Sequence, residues 1–471
     1  MSRNSRRGFL LAALAGAVLN AQAAPTQYNL LDVYSMALKN DAQLAAARAS
    51  MKATLETVNQ SRAALLPSLG LSANTEYNKA TRDYVSGGDQ KDNYNSHGWG
   101  ATLTQPLFNM NSWFNFEQAK SVGDQASVVF ANARQQLILR VAESYFNVLR
   151  SEDNLMTAKA QERALKQQMD QAQERYNVGL IAETDVLDAR AAYDNARVAR
   201  IQSENQVFIS YEQLRTIVNQ DVTDIAHLEK AMPVVAPTPD NAEEWVNTAL
   251  TNNLGLKASR EGIMAFESKV KASKSGYAPT VNAFASYNYS SSNSSSARSP
   301  KTIIEGLPAQ TPTGDGKQTV IGVQFDLPIF SGGATTAVTR QAGYQLEEAQ
   351  KNYDQQLRDT NANTRSLLRT ATSDVDRVHA SCQVILSSES ALKATQSGYE
   401  VGTRSITDVL DAQQQLYSSI SNYQNTRYDF IVNTLKLKQV AGTLSPADLE
   451  ALNQWMTNAS DELSVPDKCR G

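Results

Sequence analysis

At 471 residues the chain has room for about three domains by length alone. Hydrophobic residues make up 41% and aromatics 7%, a composition too lean in large side chains for thick globular cores and suited to long helices. Lys plus Arg total 44 against 48 Asp plus Glu, a net −4 that supplies no basic field for a polyanion, so nucleic acid is excluded as a partner.

The first segment is an export address. Arg3, Arg6 and Arg7 precede an apolar run from Phe9 to Leu19 and a small-residue site, Ala21-Gln22-Ala23, which together read as a cleavable signal peptide over residues 1–23. The string Ser5-Arg6-Arg7-Gly8-Phe9-Leu10 also resembles a twin-arginine signal, leaving two export routes open. Removing three positive charges takes the net from −4 to −7. Ala24, not cysteine, follows the site, so no lipid anchor is expected. Past Leu19 no stretch of about 18 apolar residues occurs, hence no transmembrane helix is expected, and a membrane role requires strands or a surface helix.

The remainder is written twice. A shift of 212 places Ala37 on Ala249, Asn40 on Asn252, Leu44 on Leu256 and Pro67 on Pro279; a shift of 223 places Tyr176 on Tyr399, Gly179 on Gly402 and Asp188 on Asp411. Repeat 1 is expected over residues 24–231 and repeat 2 over 240–443, joined by a Pro-containing linker at 232–239 and followed by a C-terminal segment at 444–471. Within repeat 1 an Ala/Gln/Leu-rich helix is expected from Leu30 to about Leu65. After Pro67 the hydrophobic period becomes two, which predicts strands at about 67–78 and 98–108, and at about 279–290 and 319–330 in repeat 2. Polar loops, expected outside the cell, separate them at about 78–96 and 290–317. Long proline-free stretches then predict helices at about 113–177 and 182–219, and at about 334–400 and 405–440. The longer ones reach roughly 95 Å, and each turns back at a glycine, Gly179 or Gly402. Such antiparallel pairs pack as coiled coils.

Catalytic chemistry has no carrier in this text. Cys382 and Cys469 belong to no Cys-x-x-Cys pair, and His97, His227 and His379 are too far apart for paired ligation. Zinc and a disulfide framework are therefore both excluded, and no enzyme, cofactor or metal is expected. The strands decide between two readings. A structural periplasmic coiled-coil anchor needs no apolar strand face, whereas residues 69–77 and 321–327 carry one, at the length that crosses a hydrocarbon core. Four strands leave open edges that lipid does not tolerate, so closure needs other chains. Three chains make a 12-stranded barrel. The expected fold is thus mixed: all-α coiled coils plus a transmembrane β-barrel, assembled as a homotrimer.

The string YNVGLIAETDVLD over residues 176–188, its partner YEVGTRSITDVLD over 399–411, and AGTLSPADLEALN over 441–453 resemble the TolC family of outer membrane efflux proteins, the trimeric channel-tunnels of Gram-negative bacteria. The missing lipidation cysteine fits its non-lipidated branch. The resemblance implies an outer membrane barrel embedded in lipid and a periplasmic α-helical tunnel. It also implies an equatorial belt built from Leu30 to Lys39, the linker and the C-terminal segment. The implied function is the exit duct of tripartite efflux or type I secretion, recruited by an inner-membrane transporter and a periplasmic adaptor. It further implies a gating latch in which Tyr399 and Arg404 of the second copy bond Thr184 and Asp185 of the first, and an entrance ring of Asp408 and Asp411 where a multivalent cation would block. The first copy departs from the family by carrying a second acid, Asp188, beside Asp185.

Overall fold

The computed structural model describes residues 27–84, 88–292 and 314–457; the signal peptide, Cys469 and most of the expected loop at 290–317 lie outside them. Helix α1 (Leu30–Asn40) opens on a capping box between Asn29 and Asp32, which satisfies two amides that a helix start leaves unpaired. The single helix expected from Leu30 to Leu65 is in fact two. Asp41 stands in extended backbone between α1 and α2 (Ala42–Ala63), its amide bonded to Ala37 O and its carboxylate accepting from Leu44 N at 2.6 Å. Asp favours caps over helix interiors because its short side chain competes for backbone amides, a preference that the surrounding alanines obscure. Arg140 pairs with the same buried carboxylate at 2.9 Å.

From Ser68 the chain crosses into a sheet. Strands β1 (Ser68–Tyr84) and β2 (Gly88–Asn109) run antiparallel in unbroken register from Ser68↔Thr104 to Tyr84↔Gly88. The polar loop expected at 78–96 is therefore a paired ribbon, apart from residues 85–87, which lie outside the described set. Hydropathy could not mark it, because its residues are mostly polar and show no apolar alternation.

The first copy then enters helix α3 (Met110–Asn177), turns at Gly179, and returns through α4 (Glu183–Val218). A short strand β3 (His227–Leu228) after α4 precedes α5 (Ala242–Asn252) and α6 (Leu254–Lys274). Asn253 divides these two as Asp41 divides α1 from α2, accepting from Leu256 N and donating to Val440 O. Strands β4 (Thr280–Ser292) and β5 (Gly314–Asp326) follow. Helices α7 (Ala334–Glu400) and α8 (Ile406–Val440) complete the second arm, and α9 (Pro446–Asn453) leads to β6 (Met456–Thr457), which pairs with β3.

The four long strands form one antiparallel sheet in the order β1-β2-β4-β5, so β1 and β5 are its edges. Register puts Leu69 opposite Leu103, Leu103 opposite Ala285, and Ala285 opposite Ile321. Leu69, Leu71, Leu103, Ile321, Val323 and Phe325 therefore share one face. Nothing among the described residues covers it, for Ile321 is 80% exposed. Trp99 and Tyr287 stack on the same face, ring centroids 5.2 Å apart. Among the described residues no helix is long and apolar enough to cross a membrane.

The main apolar cluster lies well away from the sheet and from the glycine turns. There α1 (Leu30, Val33), the middle of α3 (Leu137, Val141, Phe146), the ends of α4 and α8 (Leu214, Ile431, Leu435), the segment after α4 (Ile225) and α9 (Leu449) meet. A polar seam runs through it. Two successive carboxylates of α3 each take a tyrosine from another helix: Tyr211 of α4 donates to Glu152 at 2.7 Å, and Tyr428 of α8 donates to Asp153 at 2.7 Å. Tyr145 donates to Ala226 O at 2.6 Å, and Arg427 to Glu229 O at 2.9 Å, which fastens the segment around β3 to the same seam. Desolvation raises both carboxyls above their ordinary range, against the tyrosine bonds and the charge of His227.

The exclusion of a disulfide framework needs one correction. Cys382 on α7 is disulfide-bonded, and the only other cysteine in the sequence is Cys469, outside the described residues. Spacing rules look for clustered cysteines and pass over a solitary one, and an exported chain meets the oxidising conditions that sustain such a bond.

Helix α8 ends at Gly442, whose φ of +72° only glycine adopts without strain. A Cβ there would collide with the backbone of Asn252 at the end of α5. Gly442→Ala should therefore destabilise the chain by more than the ~1 kcal/mol of αL strain alone, read as a lowered thermal midpoint by circular dichroism. An unchanged midpoint would show that the close approach of α8 to α5 is dispensable.

Candidate functional site: the turn end of the helix pairs

Both arms end in glycine turns of the same construction. Gly179 and Gly402 take φ of +75° and +81°, and each turn closes with amides returning to the last helical carbonyls: Gly179 N to Tyr176 O at 2.8 Å, and Thr403 N to Gly398 O at 2.8 Å. These bonds use carbonyls that a helix end leaves unpaired. The turns present apolar side chains outward, with Val178, Leu180 and Val401 at least 70% exposed.

The return helices differ. Helix α8 starts with a full capping box, in which the amide and hydroxyl of Ser405 both donate to Asp408 Oδ2 at 2.9 Å while Asp408 N donates to Ser405 Oγ at 3.2 Å. The Ser405 amide, then its hydroxyl, then the nearby Arg404 hold the Asp408 carboxyl below its usual range. At the start of α4 the capping position is Ala182, which offers no side-chain bond. Asp185 is half-buried on the first turn of α4 and Thr184 is exposed beside it.

Asp408 and Asp411, three residues apart, were expected to act as a pair. In the structure Asp408 caps the start of α8, and Asp411 lines a cavity wall together with Asp188. That cavity, of about 930 Å³, lies between α3, α4 and α8. The rest of its wall is largely neutral and polar, including Asn154, Gln161, Asn195, Gln202 and Gln414. Two carboxylates in such a wall concentrate cations and repel anions.

Of the residues implied in the latch, Tyr399 packs across the two arms, touching a cluster of Leu165 on α3, Ala196 on α4, and Ile406 and Leu410 on α8. The Arg175 guanidinium lies over its ring at 5.0 Å from the centroid. Its hydroxyl is buried with no hydrogen-bond partner, as is Gln413 Oε1. Arg404 is exposed and lies along Gly398, where an added Cβ would strike its Cγ. Among the described residues no hydrogen bond or ion pair joins Tyr399 or Arg404 to Thr184 or Asp185 within one chain. Sequence reasoning passed over Arg175 and Gln413, since a residue that meets its partner across a helix seam leaves no local signature. Asp188 did show itself, as an acid additional to the family pattern.

The sequence profile of the outer membrane efflux protein family matches residues 33–220 and 245–443. The outer membrane protein TolC of Vibrio cholerae serotype O1 is 33% identical over 430 residues, covering 90% of this chain and 93% of that protein. The alkaline protease secretion protein AprF of Pseudomonas aeruginosa is 27% identical over 426 residues, covering 89% and 86%. Among solved structures, the outer membrane protein VceC of Vibrio cholerae superposes with a TM-score of 0.72 at 19% identity over 88% of this chain and 96% of that one, a likeness of fold.

Proposed function

Since the chain belongs to the outer membrane efflux protein family, we propose that it serves as the exit duct of tripartite efflux or type I secretion, exporting drugs, proteins or both across the outer membrane of a Gram-negative cell. One observation carries the reading. A sheet with an uncovered apolar face and two open edges is continuous with helices of about 100 Å, at 1.5 Å per residue. Open edges are costly in lipid, and three copies of β1-β2-β4-β5 give twelve strands that close on themselves. The exposed Val198, Ile201, Phe208 and Ile209 of α4 and Val338 and Val384 of α7 then find cover on neighbouring chains. The groove between the arms is walled by amides, hydroxyls and alanines, suited to passage rather than to making or breaking bonds. Export energy accordingly comes from an inner-membrane transporter, coupled through a periplasmic adaptor.

At the turn end the proposal assigns two devices. Arg404, whose side chain makes no hydrogen bond or ion pair among the described residues, is available to Asp185 and Thr184 of a neighbour, and with Tyr399 forms the gating latch. Asp411, joined by Asp188, forms the acidic entrance ring, while Asp408 holds the helix start. Repeat 1 at 24–231 and repeat 2 at 240–443 are the units that carry these devices, one turn each. Deleting the gene should abolish export of at least one secreted protein or sensitise the cell to at least one toxic compound, with wild-type complementation restoring it. Secretome and drug-susceptibility profiles that stay unchanged would overturn the duct.

A further inference from the structure

Tyr399 and Arg175 occupy the last turns of α7 and α3, the outgoing helices of the two arms, each locked by a glycine turn within a few residues. The Tyr399 hydroxyl is buried and bonded to nothing, so its polar end ties the arms to nothing within the chain. Its ring face does, because the Arg175 guanidinium stacks 5.0 Å from the centroid. Among the described residues the Arg175 side chain forms no hydrogen bond or ion pair that would compete for it. Arg175, Tyr399 and the unpartnered Gln413 line one cavity of about 270 Å³ between α3, α7 and α8, beside the apolar Ala172 and Val409. The contact is thus sheltered on one side and open on the other. Arginine suits it, since a planar, weakly hydrated and permanently charged group stacks where an ammonium would stay in water.

We propose that Arg175 is a gate-positioning residue, whose guanidinium, stacked on the Tyr399 ring, holds the second-copy turn against the first copy in the closed duct. The proposal rests on reading this end as the gate. A sheltered cation–π contact shifts a closed-to-open ratio by about two- to fivefold per chain. Three chains opening together multiply that to about 10- to 100-fold. A link of this strength keeps the gate shut at rest and yields to a docking partner that draws out one side chain.

The test is a double-mutant cycle on purified trimers in planar bilayers, with trimer integrity checked by gel. Arg175→Gln should raise the open fraction by about 10- to 100-fold in the wild-type and Tyr399→Phe backgrounds, where the ring remains, and should add nothing in Tyr399→Leu. Arg175→Lys, whose ammonium stays hydrated, should recover only a small part of the closed behaviour. An equal rise in the Tyr399→Leu background would overturn the ring contact. Silence of Arg175→Gln beside an Arg404→Ser variant that opens would overturn the role of Arg175 and leave the gate standing. Silence of both would overturn the gate itself.

Discussion

Block of the duct by a multivalent cation should weaken by at least about a hundredfold in half-blocking concentration when Asp188 and Asp411 are both replaced by Asn, because each carboxylate within about 4 Å is worth about 1 kcal/mol per unit charge even at the dielectric of bulk water. Six such groups converge if three chains present the cavity wall that Asp188 and Asp411 share. A trivalent ion meets that field threefold. Asp408→Asn should behave differently, since its carboxylate is already engaged by the Ser405 amide and hydroxyl. It should loosen the start of α8 and raise spontaneous opening while leaving most of the block intact. The readout is current against blocker concentration at fixed ionic strength, so that general screening of exposed charge stays constant. Equal loss of block in Asp408→Asn and in the Asp188/Asp411 double variant would return the ring to the second copy alone.

Tyr428→Phe should cost about 1–2 kcal/mol near neutral pH, since it strips the hydroxyl donor from a partly buried carboxylate. The pH dependence follows from the direction of the Asp153 shift. Desolvation raises its carboxyl above the unfolded value, while Tyr428, His227, Arg427 and Lys230 pull it back. A raised carboxyl adds stability that is complete below the unfolded pKa and is lost as pH climbs through the folded one. Removing Tyr428 removes the leading influence that restrains the rise. The variant should therefore lose most at pH 8 and recover part of the deficit at pH 5, while Asp153→Asn should show a flatter profile than wild type. Thermal midpoints by circular dichroism at both pH values decide it, and a deficit that is the same at pH 5 and pH 8 would mean that the lost hydroxyl matters only for packing.

The architecture was legible because its largest elements carry long-range regularities. Two copies of the same text, a change of period from 3.6 to 2 and back, and glycines at 179 and 402 mark strands, helices and turns without any knowledge of contacts. What stayed hidden is local competition and spatial pairing. The breaks at Asp41 and Asn253 each turn on a single short polar side chain choosing a cap in a run of good helix formers. The continuation of β1 and β2 is polar in sequence and offers hydropathy no alternation to register. At the turn end, composition located the acids but not their neighbours. Asp411 shares a cavity wall with Asp188 because of how α4 and α8 pack, and no spacing along one helix encodes that.

The two arms are nearly the same size, with α3 and α7 at 68 and 67 residues and α4 and α8 at 36 and 35. This equality acts as a ruler. Adding a heptad to one helix alone would leave one hairpin tip about 10 Å proud of the other and would slide Arg175 off Tyr399. Lengthening the duct to span a wider periplasm therefore demands matched insertions in four helices at once, made in whole turns so that the packing faces stay aligned. A duplicated gene that must keep its halves in step can change its reach only in coordinated jumps. Its length is expected to be among the most conservative of its dimensions, even where the lining that selects the cargo drifts freely.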